Sequence, residues 1–557
     1  MRDHDALERR RRLTHRALPL GWLALVALGV GIGFGAAHRS AADQVAQEFA
    51  RAWDRADYRA MYRVVGPGER ARFSFESFQA AYERAAATAT ATVRETVVRD
   101  PQGSRNGDPL VPVTVPTRVF GAVRGQVAVP VADDGTVSWG PHLAFPGLRP
   151  GEELTRRTQA PRRGKILARD GKLLAGGPAD SRELDEGAAG LAGTLAPAAE
   201  ETERGRVFAA GFAEDTAVGQ SGLEKVLQEQ VQGTPGGSLL AGGRQLASAR
   251  ARAAPPTRST IDLEIQAASD GALAGRFGGI AVLDPRTAEV LALSGIAFSA
   301  PQPPGSTFKI VTTTAALDDR KVKLSDEFPV ESAATIDGVS LSNANGELCG
   351  GSFVSSFAHS CNSVFAPLGV KVGAKSLVAM SERYGWNDAP QIEGAEPSTI
   401  PPAEEIVSPL DLGSSAIGQG KVLATPLQMA SVAQVIANRG IRVQPTLVMG
   451  RRGKVVRVTT PAIAATLRNL MVGVVREGTG KSAQIDGVSV AGKTGTAELG
   501  LGPGGSNDPG NTDAWFLAFA PAKAPRFAVG VVILRGGAGG DAAAPVARDV
   551  LVSGLKD

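Results

Sequence analysis

Cysteine and histidine are both scarce in this 557-residue chain, and their scarcity closes off several chemistries. Cys349 and Cys361 are its two cysteines, too few to build a metal cage without other ligands beside them. Of five histidines, His4, His15 and His38 flank an N-terminal apolar segment, leaving His142 and His359 for any folded domain. A histidine-rich metal site is excluded on those numbers, and no metal or organic cofactor is expected. Charge of either sign is also in short supply, with 60 Lys and Arg against 56 Asp and Glu, a balance of +4. Much of that excess sits in one N-terminal cluster, so no general nucleic-acid surface is expected. Hydrophobic residues at 43% and charged residues at 21% suit folded domains and exclude wholesale disorder.

One uncharged run stands out, residues 17–37. About 20 such residues span a bilayer as a helix, because lipid offers no partner to a free backbone group. Arg9, Arg10, Arg11, Arg12 and Arg16 precede it, which predicts a cytoplasmic tail over 1–16, a single-pass anchor over 17–37 and an extracytoplasmic body. The competing reading is a cleaved leader with Ser40-Ala41-Ala42 as a poor cleavage site; the length favours the anchor. No cysteine follows the run, which excludes a lipid-modified N-terminus. An exported body could oxidise Cys349 and Cys361, and a disulfide or two separate buried thiols stay equally open.

Residues 42–146 read as a small α+β unit. Val45, Phe49 and Trp53 recur on one helix face, a second helix is expected over 75–87, and strand-like pieces follow at 91–98, 110–120, 125–131 and 136–139. Trp53, Tyr58 and Tyr62 are read as core. Residues 147–256 read as a connecting region, with a hairpin around Asp170-Gly171 and a helix over 220–232. From 257 the pattern sharpens: a strand hairpin at 280–293, helices over 307–317, 363–370 and 426–438, strands at 488–491, 514–520 and 527–534, and a last helix over 543–551. That order predicts one antiparallel sheet with helices against it, within an α+β multidomain chain.

Three short motifs carry the chemistry. Pro304-Gly305-Ser306-Thr307-Phe308-Lys309 opens an apolar helical run and sets Ser306 and Lys309 on one face. A serine hydroxyl is a weak nucleophile until a neighbour takes its proton, and a lysine does so only when its amine is neutral. Burial and nearby cations supply that condition. Free backbone N–H groups at the helix start suit a developing oxyanion. Alone, the pair would be a serine cap and a solvated lysine. Ser360-Cys361-Asn362 offers a second hydroxyl for proton transfer and a side-chain amide for a substrate peptide, although a helix cap explains it equally well in isolation. In Lys493-Thr494-Gly495-Thr496, after a strand-like stretch, an edge can pair with an extended peptide, Gly495 admits close approach, and Lys493 brings charge. A Ser-His-Asp triad would need His359, which reads better as a surface residue at a helix end.

In this order the three motifs resemble those of the serine penicillin-binding proteins and serine β-lactamases. Arg163-Gly164 through Asp170-Gly171 to Ala175 resembles the class B pedestal signature, with Ala168 where an aspartate is usual. Ser221-Gly222-Leu223-Glu224 is similar to a second pedestal motif, and Thr260-Ile261-Asp262 to the start of the transpeptidase domain. Residues 42–146 resemble, by layout, the nuclear-transport-factor-2-like (NTF2-like) domain of methicillin-resistance-type members. The resemblance implies an NTF2-like domain over 42–146, a pedestal or dimerisation domain over 147–256 and a transpeptidase domain over 257–557. It implies a peptidoglycan D,D-transpeptidase in which Ser306 attacks the penultimate D-alanine carbonyl of a stem peptide. Lys309 would be the base, and Ser360 with Lys493 would relay the proton. Asn362 would bind the acylated peptide, and Thr494 and Thr496 the terminal carboxylate. The N–H groups of Ser306 and Thr496 would form the oxyanion hole. β-Lactams would acylate Ser306; a glycosyltransferase or a divisome or elongasome partner, the acceptor amine and the cellular role are left open. Two rivals stand: a class D-like β-lactamase, which must hydrolyse its acyl-enzyme quickly, and a non-catalytic β-lactam receptor or divisome scaffold.

Overall fold

The computed structural model describes residues 40–185, 189–499 and 509–556. The expected tail and anchor at 1–37 lie outside the described residues. Among those described, no single helix is long and apolar enough to cross a membrane. The chain forms two compact units.

The first gathers the residues up to Pro161 with Pro197–Thr216 and Thr234–Arg252. Its opening helix, Ala41–Asp54, starts at a capping box in which Ser40 accepts from the Asp43 N–H and Asp43 answers the Ser40 N–H. Phe49 and Trp53 are buried along it, as their spacing requires. Helix Phe75–Ala89 brings Phe78 and Tyr82 to the same core, where Trp139 donates to the Tyr82 hydroxyl. Trp53 and Tyr58 pack on Tyr82, and Tyr62 on Phe78. Strands Asp108–Thr117 and Gly121–Ala128 form the hairpin that covers these helices. The stretch 91–98 is mostly a turn with a two-residue strand, Val97–Val98, and 136–139 makes only isolated bridges through Val137. Two short helices, Tyr58–Arg63 and Pro67–Arg72, escape the periodicity because each is under two turns long.

Arg156 closes this unit without a carboxylate. Its guanidinium donates to the carbonyls of Ala87, Thr88, Phe208 and Phe212, the ends of two helices, and stacks on the Phe208 ring. Burial lowers its pKa to about 10.

The second unit gathers Arg162–Ala196, Ala217–Gly233 and Ala253–Asp557, so the stretch 147–256 is divided between the two units. Strands Ile166–Leu167 and Leu173–Gly176 make the hairpin expected at Asp170-Gly171. The pedestal-like motifs meet at one carboxylate: Glu224 is fully buried and accepts from Arg163 and Arg182 at 2.6 Å each.

The main sheet has five antiparallel strands, β1 (Gly278–Leu283), β2 (Val290–Gly295), β3 (Ala491–Glu498), β4 (Thr512–Ala520) and β5 (Phe527–Ile533), in the order β2-β1-β5-β4-β3. Both faces are covered. Ala514, Phe516 and Ala518 of β4 face helices α1 (Leu263–Leu273) and α5 (Gly539–Leu555), while Trp515, Leu517 and Phe519 face the helical layer that includes α2 (Lys309–Asp318), α3 (Asn362–Val372) and α4 (Pro426–Ala437). Gly530 of β5 is required where α4 crosses, since a Cβ there would sit 2.2 Å from the Pro426 carbonyl oxygen. β3 is an end strand, so one of its edges has no strand partner among the described residues.

Candidate active site

Ser306 sits in a 3₁₀ turn, Gly305–Phe308, that runs directly into α2. Gly305 has φ +53°, and a Cβ on it would lie 2.7 Å from the Thr496 carbonyl oxygen, so the turn rests against the β3 backbone. Gly495 is equally constrained, with a Cβ position 2.7 Å from the Pro304 carbonyl oxygen. The expected strand at 488–491 begins only at Ala491, and Lys493-Thr494-Gly495-Thr496 lies inside it. Its residues are buried without a break from 491 to 495, Lys493 included, which hides the usual alternation.

Both lysines are fully buried beneath the cleft. The Lys309 amine donates to the Ser360 carbonyl at 2.7 Å and to Asn362 Oδ1 at 2.6 Å, and it lies 3.2 Å from Ser360 Oγ. Lys493 donates to Ser360 Oγ at 2.8 Å and to the Thr494 carbonyl at 3.1 Å. Among the described residues no carboxylate bonds to either amine. Burial first, and then the Lys493 charge, hold Lys309 well below the ordinary lysine value. Burial pulls Lys493 down to about 7. Phe365 and Phe357 supply much of that apolar wall, 5.4 Å and 5.9 Å from the two amines.

Ser360 stands in the left-handed region, φ +62°, at the turn before α3. Cys361, next to it, is disulfide-bonded to Cys349, which decides between the two options the sequence left open. Asn362 opens α3, and its side-chain N–H donates to the Ser342 carbonyl at 2.7 Å. His359 is the C-cap residue of helix Phe353–Ala358 and bonds to neither lysine.

Above the lysines lies a cleft of about 300 Å³ into which Ser306, Ser360, Asn362, Thr494, Gly495 and Thr496 open. The Ser306 hydroxyl has no hydrogen-bond partner among the described residues and is half-buried. Six of the eight candidate residues thus line the cleft itself, and the other two, Lys309 and Lys493, form its floor. Sequence reasoning passed over Thr479, whose hydroxyl lies 2.5 Å from that of Thr494. The signal available was a threonine between two glycines, Gly478-Thr479-Gly480, just past helix Pro461–Arg476. The Gly-rich segment 500–512, which the sequence reads as a loop in preference to a lip of the site, lies largely outside the described residues.

Among the described residues neither an imidazole nor a carboxylate bonds to the two amines, and a serine hydroxyl above two buried lysines is the arrangement a serine nucleophile with a lysine base requires. Comparison with known proteins narrows the class. Residues 278–552 match the family model of the penicillin binding protein transpeptidase domain. The peptidoglycan D,D-transpeptidase PbpA of Mycolicibacterium smegmatis is 39% identical over 293 residues, 47% of this chain and 56% of the relative. The chain therefore spans about half the length of the curated relatives it matches. Among solved structures, the D,D-transpeptidase domain of a peptidoglycan glycosyltransferase from Eggerthella lenta superposes with TM-score 0.59 at 29% identity, over 71% of this chain and 99% of that one. The penicillin G acyl-enzyme complex of penicillin-binding protein A from M. tuberculosis superposes with TM-score 0.57 at 28% identity, over 71% and 100%.

Proposed function

We propose that this chain is a class B peptidoglycan D,D-transpeptidase, anchored through residues 17–37 with its body outside the cell and acylated by β-lactams. One observation carries the reading: two buried lysine amines converge on the Ser360 hydroxyl directly below the Ser306 cleft.

Proton counting supports the roles. A neutral Lys309 has two N–H groups, matched by the Ser360 carbonyl and Asn362 Oδ1, and one lone pair left for a hydroxyl proton. Lys309 takes the Ser306 proton as Oγ attacks the penultimate D-alanine carbonyl carbon. The oxyanion settles between the N–H groups of Ser306 and Thr496, whose backbones the Gly305 turn brings together. Charged Lys493 donates to Ser360 Oγ, so a proton can pass through Ser360 to the departing D-alanine amine. The bond to the terminal D-alanine breaks, Asn362 holds the acyl peptide, Thr494 and Thr496 receive the terminal carboxylate, and Gly495 admits the substrate backbone. An acceptor amine on a second stem peptide then attacks the ester and frees Ser306. Residues 42–146 serve as an NTF2-like domain, and the arginine pair around Glu224 belongs to the pedestal.

The test is labelling of the full chain by fluorescent penicillin, with and without Ser306→Ala. The wild type should retain one label per chain and the variant none. Label on the variant, or no label on folded wild type, would remove the acyl-enzyme reading. Release of the label within seconds would favour a β-lactamase, and an unchanged cellular phenotype in Ser306→Ala would favour a scaffold.

A further inference from the structure

The cleft has a charge problem. Among the described residues that line it, Glu347, Glu498 and Asp541 are acidic and none is lysine or arginine. Both lysines of the site are sealed beneath it. A terminal carboxylate entering here meets no exposed cation, so its recognition depends on neutral donors aimed at it.

A threonine hydroxyl has one proton, and a carboxylate can only accept. Thr494 and Thr496 are useful only if their protons are not spent elsewhere. For Thr496 the protein settles this: its Oγ1 accepts from the Gly539 N–H at 3.2 Å, at the first residue of α5, and a backbone N–H cannot accept. The corresponding partner of Thr494 is Thr479, with the two oxygens 2.5 Å apart. No other group among the described residues bonds to the Thr479 hydroxyl. The residue is held independently, its N–H donating to the Ala358 carbonyl at 3.2 Å. Its carbonyl oxygen would lie 2.4 Å from a Cβ on Gly540, so the start of α5 packs against it as well.

The geometry points to Thr479 as a positioning residue for carboxylate recognition: it donates to Thr494 Oγ1 and so turns the Thr494 proton towards the substrate. Thr494 and Thr496 then form a matched pair, each accepting from behind and donating into the cleft. This inference rests on the acyl-enzyme reading above and adds to it the residue that gives one of the two hydroxyls its direction.

The experiment compares benzylpenicillin with its methyl ester, which keeps the reactive ring and loses the anionic carboxylate. Acylation of wild type, Thr479→Val and Thr479→Ser is followed over a range of concentrations. Thr479→Val keeps the shape and removes the proton. It should raise the half-saturating concentration of benzylpenicillin about 10- to 100-fold, the range for a hydrogen bond to a charged group, while the ester changes by less than about 3-fold. Thr479→Ser should restore benzylpenicillin to near the wild-type value. An equal loss for both compounds, no loss for either, or failure of serine to rescue overturns the inference. Each ratio is taken within one protein, so partial unfolding cancels, and Thr479→Ala replaces a valine variant that does not fold. If the wild type itself is never acylated, the acyl-enzyme reading fails instead.

Discussion

Replacing Lys493 with glutamine should move the acid limb of acylation towards higher pH. The two amines lie 3.2 Å and 2.8 Å from the same Ser360 oxygen, which bounds their separation at about 6 Å. At an effective dielectric of about 20, two unit charges at that distance repel by about 3 kcal/mol, or roughly two pKa units. Desolvation is the larger cause of the Lys309 depression and survives the substitution, so its pKa should rise by about that amount and stay below the ordinary 10.5. The sign follows from the chemistry. In the proposed mechanism acylation needs Lys309 without its proton, so the rate climbs as pH rises through its pKa. Lys493 acts as a donor, so in the wild type the rate falls again as pH passes about 7. Lys493→Gln should lower the maximum, shift the rising limb upwards and abolish the falling one. Single-turnover acylation by fluorescent penicillin from pH 5 to 10, normalised to each protein's own maximum, reads all three. A rising limb that stays in place would refute the coupling. A falling limb that persists near pH 7 would assign it to another group.

Two further outcomes follow from buried contacts. Glu224→Gln leaves the Arg163 and Arg182 guanidiniums buried against a neutral partner and should lower stability by about 3–5 kcal/mol, read as a fall in the denaturant midpoint. Gly495→Ala places a Cβ 2.7 Å from the Pro304 carbonyl oxygen and 3.0 Å from the Trp515 side chain, and should slow acylation at least about 10-fold through displacement of β3 from the Ser306 turn. An alanine variant that acylates at the wild-type rate would show that the turn and strand yield without consequence.

What the sequence made legible is what is local. Ser306 and Lys309 stand one turn apart and Ser360 and Asn362 flank a helix start, and those relations survive whatever the rest of the chain does. The strand limits around Lys493 were less legible, because β3 to β5 are covered on both faces and their burial does not alternate. The meeting of Thr479 with Thr494 was not legible at all. Thr479 reaches Thr494 through the packing of a loop against α5, and nothing in its neighbours' periodicity encodes that meeting. The same holds for the stretch 147–256, which looks continuous in composition while the chain crosses between units within it.

Ser360 shows why the site needs more than its motifs. A non-glycine residue at φ +62° carries a steric cost of about 1–2 kcal/mol, which glycine would avoid. Glycine, however, has no hydroxyl to place between the two amines, so the conformational preference and the chemistry demand different residues here. The conformation lets a single residue present both its carbonyl and its hydroxyl to Lys309, and the hydroxyl also to Lys493. Two constraints hold it there. The Ser360 N–H donates to the Phe357 carbonyl, and the following residue is covalently tied to Cys349 on a neighbouring strand. The disulfide therefore ties down the backbone beside the hydroxyl that both amines approach. Serine is the smallest side chain that supplies a hydroxyl without the second branch that would make this backbone region costlier still.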